Sequence, residues 1–296
     1  MKIIPGPASK QLGEKIVELL GVEAVSLVFK SHPDGESYVR LEGNIANEEV
    51  AIVQTTSPPQ DTHLMQLALI ADAAKRHGAK KITAVVPYLA YARQDRVFLH
   101  GEAVSIEVVA RILKAARIDN LITVNVHKEK VLNKFPFPAK SISAISSLAK
   151  FFKQIGFDEA FALAPDKGAM WLAEEARRVL GGECGYLRKH RDRYSGQISI
   201  TKKTFDVKGK TVIIFDDLIS TGGTIALAAK NMKEAEAKNV YAACVHPLLI
   251  GNAEKRILEA GVEEIVGTDS IQSHVSKVSL APLICRELKL QEKRRG

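Results

Sequence analysis

Short apolar runs alternate along the chain with stretches whose apolar residues recur every three or four positions. Val25–Phe29, Val50–Gln54, Lys81–Val86 and Leu121–Val126 are brief, β-branched and almost uniformly apolar, the pattern of strands covered on both faces of a parallel sheet. Amphipathic stripes lie between them. Ser9 stands where an N-cap belongs, Leu12, Ile16, Leu19 and Leu20 share one face, and Gly21 stops that helix. Leu64, Leu67, Ile70 and Ala74 form a second stripe, ended by Gly78, and Val104, Val108, Ile112 and Ala116 a third. The second half continues the alternation with helix Ala144–Ile155, strand Ala160–Ala164, helix Ala169–Leu180, strand Thr211–Asp216, a helix after Thr224, and strands near Val240–Val245 and Glu263–Gly267. Such alternation predicts an α/β fold with mainly parallel sheets.

An internal echo divides the chain. Residues 51–89 and 212–249 each read strand, polar loop, helix, AKK or AKN step, strand, proline. Ile52 aligns with Ile213 and Ile82 with Val240, which leaves three extra residues in the first repeat, most simply placed in the loop after its strand. Duplication predicts two similar domains of comparable size, with the boundary near Pro138–Ser143; a chain of 296 residues is long enough for two.

Composition narrows the class. Hydrophobic residues make up 46% and charged residues 26%, ordinary for a globular protein. No apolar run approaches the roughly 18 residues of a membrane span. The first residues, MKIIPGP, are too short and proline-rich for a secretory signal. Cys184, Cys244 and Cys285 are odd in number and widely spaced, which excludes a disulfide framework or zinc knuckle and fits a reducing cytoplasm. The net charge of +8 favours anionic partners, nucleic acid or phosphorylated small molecules. No helix-turn-helix, RNP-type aromatic strand or finger spacing supports nucleic acid.

The chemistry concentrates in a few motifs. In VIIFDDLISTGGT (212–224) a buried strand ends in Asp216 and Asp217, and Ser220, Thr221, Gly222, Gly223 and Thr224 lead into a helix. Ligands of open α/β sheets bind at strand carboxyl ends. Glycines there let backbone approach closely, and successive N–H groups with a helix N-terminus form an anion nest. Adjacent carboxylates suit ribose hydroxyls or a cation. PYLAYARQDR (87–96) follows another strand and gathers Arg93, Gln94, Asp95 and Arg96, where guanidinium groups pair bidentately with phosphate and an amide reads an adenine edge. No Walker A, GxGxxG or HExxH pattern is present.

DDLISTGGT resembles the ribose 5-phosphate loop of the type I phosphoribosyltransferase fold. Together with SHPDGES (31–37), ARQDR and GEAVS (101–105) in this order, the chain closely resembles ribose-phosphate pyrophosphokinase over nearly its whole length. The resemblance implies two tandem phosphoribosyltransferase-type, Rossmann-like domains. Residues 1–141 would bind ATP and mediate oligomerisation, residues 142–278 would bind ribose 5-phosphate, and a C-terminal helix, about 279–296, would pack back on the first domain. It further implies transfer of the diphosphate of ATP to ribose 5-phosphate, giving 5-phosphoribosyl 1-diphosphate (PRPP) and AMP for nucleotide biosynthesis.

By the same resemblance Asp34 and Glu36, offered by a neighbouring subunit, join Arg93, Gln94, Asp95 and Arg96 in holding ATP. His127 and Asp166 ligate Mg2+, and Asp166, Lys167 and Gly168 form the diphosphate loop. Asp216, Asp217 and Ser220 to Thr224 hold the sugar phosphate. Lys189 and Arg191, in the basic run Arg188 to Arg193, are the catalytic cations of a lid. The chain departs from the family pattern at His32, an aromatic elsewhere, and at Lys128-Glu129-Lys130, where the family often has Ala-Asp-Gln. A homo-oligomer based on dimers, with tetramer and hexamer both open, a cytoplasmic location and no nucleic-acid or membrane partner complete the expectation. A phosphoribosyltransferase and a non-catalytic PRPP-binding regulator stand as alternatives.

Overall fold

The computed structural model of the chain describes residues 1–191, 198–201 and 205–293. It divides into two compact units. The first comprises Met1–Ser143, Ser270–Gln272 and Ser279–Gly296; the second comprises Ala144–Asp269 and Ser273–Val278. Both are α/β units built on a parallel sheet, as the alternation predicts.

In the first unit the elements follow as β1 (Lys2–Pro5), α1 (Lys10–Leu20), β2 (Ser26–Ser31), β3 (Ser37–Glu42), β4 (Glu49–Val53), α2 (Gln60–Arg76), β5 (Lys81–Val86), α3 (Ser105–Ala115), β6 (Asn120–Val124) and β7 (Ala139–Ile142). The sheet has the order β1-β4-β5-β6-β7, and every pairing in it is parallel. Val50, Ile52, Ile82, Ala84 and Leu121 from its strands enter one buried cluster with Leu67 and Ile70 of α2 and Ile106 and Leu113 of α3.

The second unit runs α4 (Ile145–Gln154), β8 (Phe161–Ala164), α5 (Met170–Leu180), β9 (Cys184–Tyr186), β10 (Arg188–Arg191), β11 (Ile198–Thr201), β12 (Thr211–Ile219), α6 (Gly223–Glu234), β13 (Asn239–Pro247), α7 (Ala253–Glu259), β14 (Ile265–Thr268) and β15 (Ser276–Val278). Its sheet, β15-β14-β13-β12-β8-β9, is again parallel throughout. The last helix, α8 (Ala281–Lys293), belongs to the first unit. It packs on α1, with the Cys285 thiol 3.8 Å from the Ile16 carbonyl, and its buried Glu287 accepts from Lys140 at 2.6 Å.

The repeat is visible in the topology. β1, β4, β5, β6 and β7 correspond in order to β8, β12, β13, β14 and β15. Each unit also carries a two-stranded antiparallel ribbon between its first and second corresponding strands, β2–β3 in one and β10–β11 in the other. Ladder register corrects the sequence alignment: Val50 pairs with Ile82 and Val212 with Val240, spacings of 32 and 28 residues, so Ile214 rather than Ile213 corresponds to Ile52. The first repeat is therefore longer by four residues, and its helix accounts for all of the excess, 17 residues in α2 against 12 in α6.

Three local expectations change. Val25–Phe29 is not a strand of the parallel sheet; it forms most of β2, whose side chains are half-buried or exposed. An apolar run alone does not distinguish a sheathed strand from a ribbon. Ser9 occupies the position before α1, but its hydroxyl accepts from the Thr55 backbone instead of capping, and Leu19 is 51% exposed. In α3 the buried face is Ile106, Val109, Ala110 and Leu113, while Val108 of the expected stripe is 40% exposed. That helix carries two overlapping apolar stripes, and its sheet covers one of them.

Phe152 of α4 is fully buried amid Phe151, Phe157, Phe215 and Tyr241. Phe152→Ala leaves a cavity under β12 and β13 and should cost about 3–5 kcal/mol in denaturant unfolding; a loss below 1 kcal/mol would show that this cluster does not anchor the unit.

Candidate functional site

In the second unit, the acids at the ends of β8 and β12 come together because those strands are neighbours, with Ile214 opposite Leu163. Asp166 follows β8 by two residues, and its Oδ1 accepts from the Ala169 backbone at 3.2 Å, capping the turn Lys167–Ala169 that leads into α5. Asp216 and Asp217 lie within β12, which continues past them to Ile219 rather than ending at Asp216. The Asp217 N–H donates to Asp216 Oδ1 at 2.9 Å. Burial pushes the Asp216 carboxyl well above the usual carboxylate range, the charge of Asp217 raises it further, and Asp166 adds to the effect.

Ser220 to Gly222 then turn the chain into α6. Gly222 has φ +75°, and a Cβ there would lie 2.9 Å from the Ala253 carbonyl and 3.0 Å from Ile257, so only glycine fits. Thr221 and Gly223 are exposed on the other side of the turn. Three successive carbonyls are held by the segment after β13. Ile219 accepts from Leu249 N at 3.0 Å, Ser220 from Ile250 N at 2.9 Å, and Thr221 from Arg256 Nη1 at 2.7 Å.

Crowded carboxyls beside an open turn call for hydroxyl donors or a cation. Among the described residues no group of three or more His, Cys, Asp or Glu is gathered to hold a metal. Magnesium does not require one, since it binds through one or two carboxylates with waters and substrate phosphates. Asp166 beside the disfavoured charge of Asp216 fits that habit.

The corresponding loop of the first repeat is closed on itself. Thr56 donates to the Tyr88 carbonyl and accepts from Ala90 N, both at 2.8 Å, while Thr55 Oγ1 accepts from Tyr88 N at 3.3 Å. These threonines support the segment after β5. The loop carrying Arg93 to Arg96 is closed by Glu102, which accepts from Phe98 N at 2.7 Å, Leu99 N at 2.9 Å and Gln94 Nε2 at 3.2 Å. Those bonds hold the Glu102 carboxyl below its ordinary range. The Arg96 guanidinium lies over the Phe98 ring at 4.9 Å. Asp95 pairs with Lys128 at 3.1 Å, and this contact lowers its carboxyl. His127 is exposed just beyond β6. Asp34 and Glu36 form the exposed tip of the β2–β3 ribbon, where Glu36 N donates to Asp34 Oδ1 at 3.1 Å across a turn that needs Gly35 at φ +94°.

Comparison with known proteins decides the family. A family model described as the N-terminal domain of ribose phosphate pyrophosphokinase matches residues 1–116, and a phosphoribosyl transferase domain model matches residues 138–281. The ribose-phosphate pyrophosphokinase of Saccharolobus solfataricus is 42% identical over 272 residues, covering 92% of this chain and 93% of that protein. The one from Methanobrevibacter smithii is 40% identical and covers 97% and 99%. The chain belongs to the ribose-phosphate pyrophosphokinase family. Its fold agrees: the crystal structure of phosphoribosylpyrophosphate synthetase from Mycobacterium smegmatis superposes with a TM-score of 0.87 at 28% identity, over 99% of both chains. The enzyme class expected from the motifs stands with the family.

Within this pyrophosphokinase, then, the second unit gathers Asp166, Lys167, Gly168, Asp216, Asp217 and Ser220 to Thr224 at the carboxyl ends of β8 and β12, and the first unit gathers Arg93 to Arg96 in one loop. The backbone of Arg188 to Arg191, including Lys189, forms β10, paired with β11 in the register Lys189 to Ile200; Arg193 lies outside the described residues, as do Arg294 and Arg295. Sequence reasoning missed Glu102, although GEAVS contains it, and passed over Lys128 as a mere departure from the family. A carboxylate a few residues beyond a basic loop was the available signal for Glu102; Lys128 had none, since its partner is 33 residues away.

Two outcomes follow for the pyrophosphokinase. Glu102→Ala should raise the KM for the nucleotide about tenfold and leave that for the sugar phosphate unchanged; equal effects on both would deny it a role specific to the 93–102 loop. Because the Asp216 pKa is raised by folding, its ionisation opposes folding, and the associated stability is kept at low pH and lost as pH rises through the folded pKa. Ligand-free Asp216→Asn should therefore melt about 2–4 °C higher than the parent at pH 8, with the gap closing towards pH 4. A variant less stable at pH 8 would contradict this.

Proposed function

We propose that the chain transfers the β,γ-diphosphate of ATP to the anomeric hydroxyl of ribose 5-phosphate. The observation that carries this reading is the pairing, at the carboxyl ends of the neighbouring central strands β8 and β12, of Asp216–Asp217 with an open glycine turn and the Asp166 loop. Carboxylates accept from ribose hydroxyls, and the turn offers backbone N–H groups and threonine hydroxyls to a phosphate. Residues 142–278 thus form the sugar-phosphate domain, and residues 1–141 the nucleotide and oligomerisation domain.

Asp216 and Asp217 orient the ribose hydroxyls while Ser220 to Thr224 hold the 5-phosphate. The anomeric oxygen attacks the β-phosphorus in line. The bond from that phosphorus to the α,β-bridging oxygen breaks, AMP leaves with that oxygen, and the hydroxyl proton passes to solvent. Arg93, Gln94, Asp95 and Arg96 bind the nucleotide, with Asp34 and Glu36 contributed by the ribbon of another subunit in a homo-oligomer. Lys189 and Arg191 stabilise charge developing on the bridging and leaving oxygens. Bound Mg2+ would neutralise phosphate charge; Asp166 is a proposed protein ligand in the second unit and His127 a proposed ligand in the first, and Lys167 and Gly168 serve the diphosphate. The reading includes a cytoplasmic setting, supported by three free thiols, and no helix among the described residues is long and apolar enough to cross a membrane.

The deciding assay supplies ATP, ribose 5-phosphate and Mg2+ and follows AMP and PRPP. Release of AMP that depends on ribose 5-phosphate is the expected result. Attachment of a base to PRPP without AMP release would replace the reading with a phosphoribosyltransferase, and sugar binding without turnover would replace it with a regulator. Lys189→Ala should lower turnover by at least about 10²-fold with little change in ribose 5-phosphate affinity; near-parental turnover would remove Lys189 from catalysis.

A further inference from the structure

We propose that Arg256 is a positioning residue for the sugar-phosphate loop, holding the Thr221 carbonyl so that the Gly222 N–H faces the ligand. The inference rests on the reading of Thr221 to Thr224 as that loop. In a planar trans peptide the C=O and the following N–H point in opposite directions. The carbonyls of Ile219, Ser220 and Thr221 are all drawn towards residues 249–256. The N–H groups of Ser220, Thr221 and Gly222 accordingly face the other way, as an anion nest requires.

Two of these three contacts come from backbone amides, of Leu249 and Ile250, and are fixed by the course of the chain. The Thr221–Gly222 peptide is held by a side chain, at 2.7 Å, and it is the peptide most in need of holding. Glycine accepts either orientation of the preceding peptide at little cost. A flipped peptide would aim a carbonyl dipole at the phosphate. Arg256 selects the orientation that aims the N–H instead, and its charge-assisted bond is stronger than a neutral one. The bracing segment itself is constrained: Leu249 has φ +47°, unusual for a residue with a branched side chain, and Ala253 and Ile257 pack against Gly222 so closely that no Cβ fits. Arg256 lies on the solvent side of α7, so its removal leaves the core of the unit intact.

The test is steady-state kinetics of the full-length protein with ATP, ribose 5-phosphate and Mg2+, with thermal melting alongside. Arg256→Ala should raise the KM for ribose 5-phosphate about tenfold while the KM for ATP and the kcat stay within about twofold and the melting temperature is unchanged. Arg256→Lys, which can donate to the same carbonyl, should recover most of the loss. Thr224→Ala reports separately on the loop. An unchanged sugar KM in Arg256→Ala beside a raised one in Thr224→Ala overturns the positioning role and leaves the loop reading standing. An unchanged sugar KM in both overturns the loop reading and this inference with it. A rise in both KM values with a lowered melting temperature also overturns it, since Arg256 would then serve only stability.

Discussion

The parallel ladder of β8, β12 and β13 is the constraint on which the second unit depends. Val212, Ile213, Ile214 and Phe215 are fully buried in it, flanked by Leu163 on one side and Val240 and Ala242 on the other. A ladder so deeply covered on both faces is held by close packing, because a one-residue shift would bring side chains of different volume into sites already filled. It therefore places Asp216 and Asp217 beside Asp166 whatever their mutual repulsion. Folding by itself does not favour three carboxyls there; the apolar strands offset the penalty, and a ligand rich in hydroxyls, or a cation, relieves it. Local destabilisation maintained by a rigid surround commonly accompanies function.

Duplication supplied two such frameworks, and their loops diverged. In the first unit the turn after β4 commits its threonine hydroxyls to Tyr88 and Ala90, which ties it to the segment that leads into Arg93. In the second, Gly223 faces open space while Gly222 packs closely on α7, which braces the other side of the turn after β12. One repeat uses its strand-end turn to build a neighbouring loop, and the other leaves it open as the proposed binding surface. The difference lies in a handful of residues, with the sheets alike in order and direction, so fold alone does not distinguish the repeat proposed to bind a sugar phosphate.

How much was legible in the sequence followed from the range of the interaction. Strands such as Lys81–Val86 and the helix stop at Gly21 depend on local pattern and could be read directly. DDLISTGGT was legible because the strand, acids and glycines that make the turn are contiguous. Val25–Phe29 misled because the run reports apolarity and not partner, and its partner is β3, a strand with alternating exposure that the pattern did not single out. The covered face of α3 depended on which of two stripes the sheet claims. Glu102, Lys128 and Arg256 act through partners 3 to 35 residues away, on loops whose course only the folded chain fixes.

The positive balance of the chain takes on a different meaning once these partners are known. Carboxylates in the 93–102 loop are engaged within the first unit: Asp95 pairs with Lys128 through one oxygen, and Glu102 accepts from two backbone N–H groups and an amide. They shape the loop, and its arginines are the groups proposed to meet an anion. In the second unit the acids sit at the carboxyl ends of the central strands β8 and β12, whereas Lys189 and Arg191 belong to a ribbon whose two strands, among the described residues, pair only with each other. Carboxyl groups thus stand at the ends of rigid strands, and basic residues stand in the separate ribbon. For the proposed transfer, whose transition state gathers negative charge on phosphate oxygens, that division would let the sheet position the sugar and metal while the ribbon supplies electrostatic stabilisation.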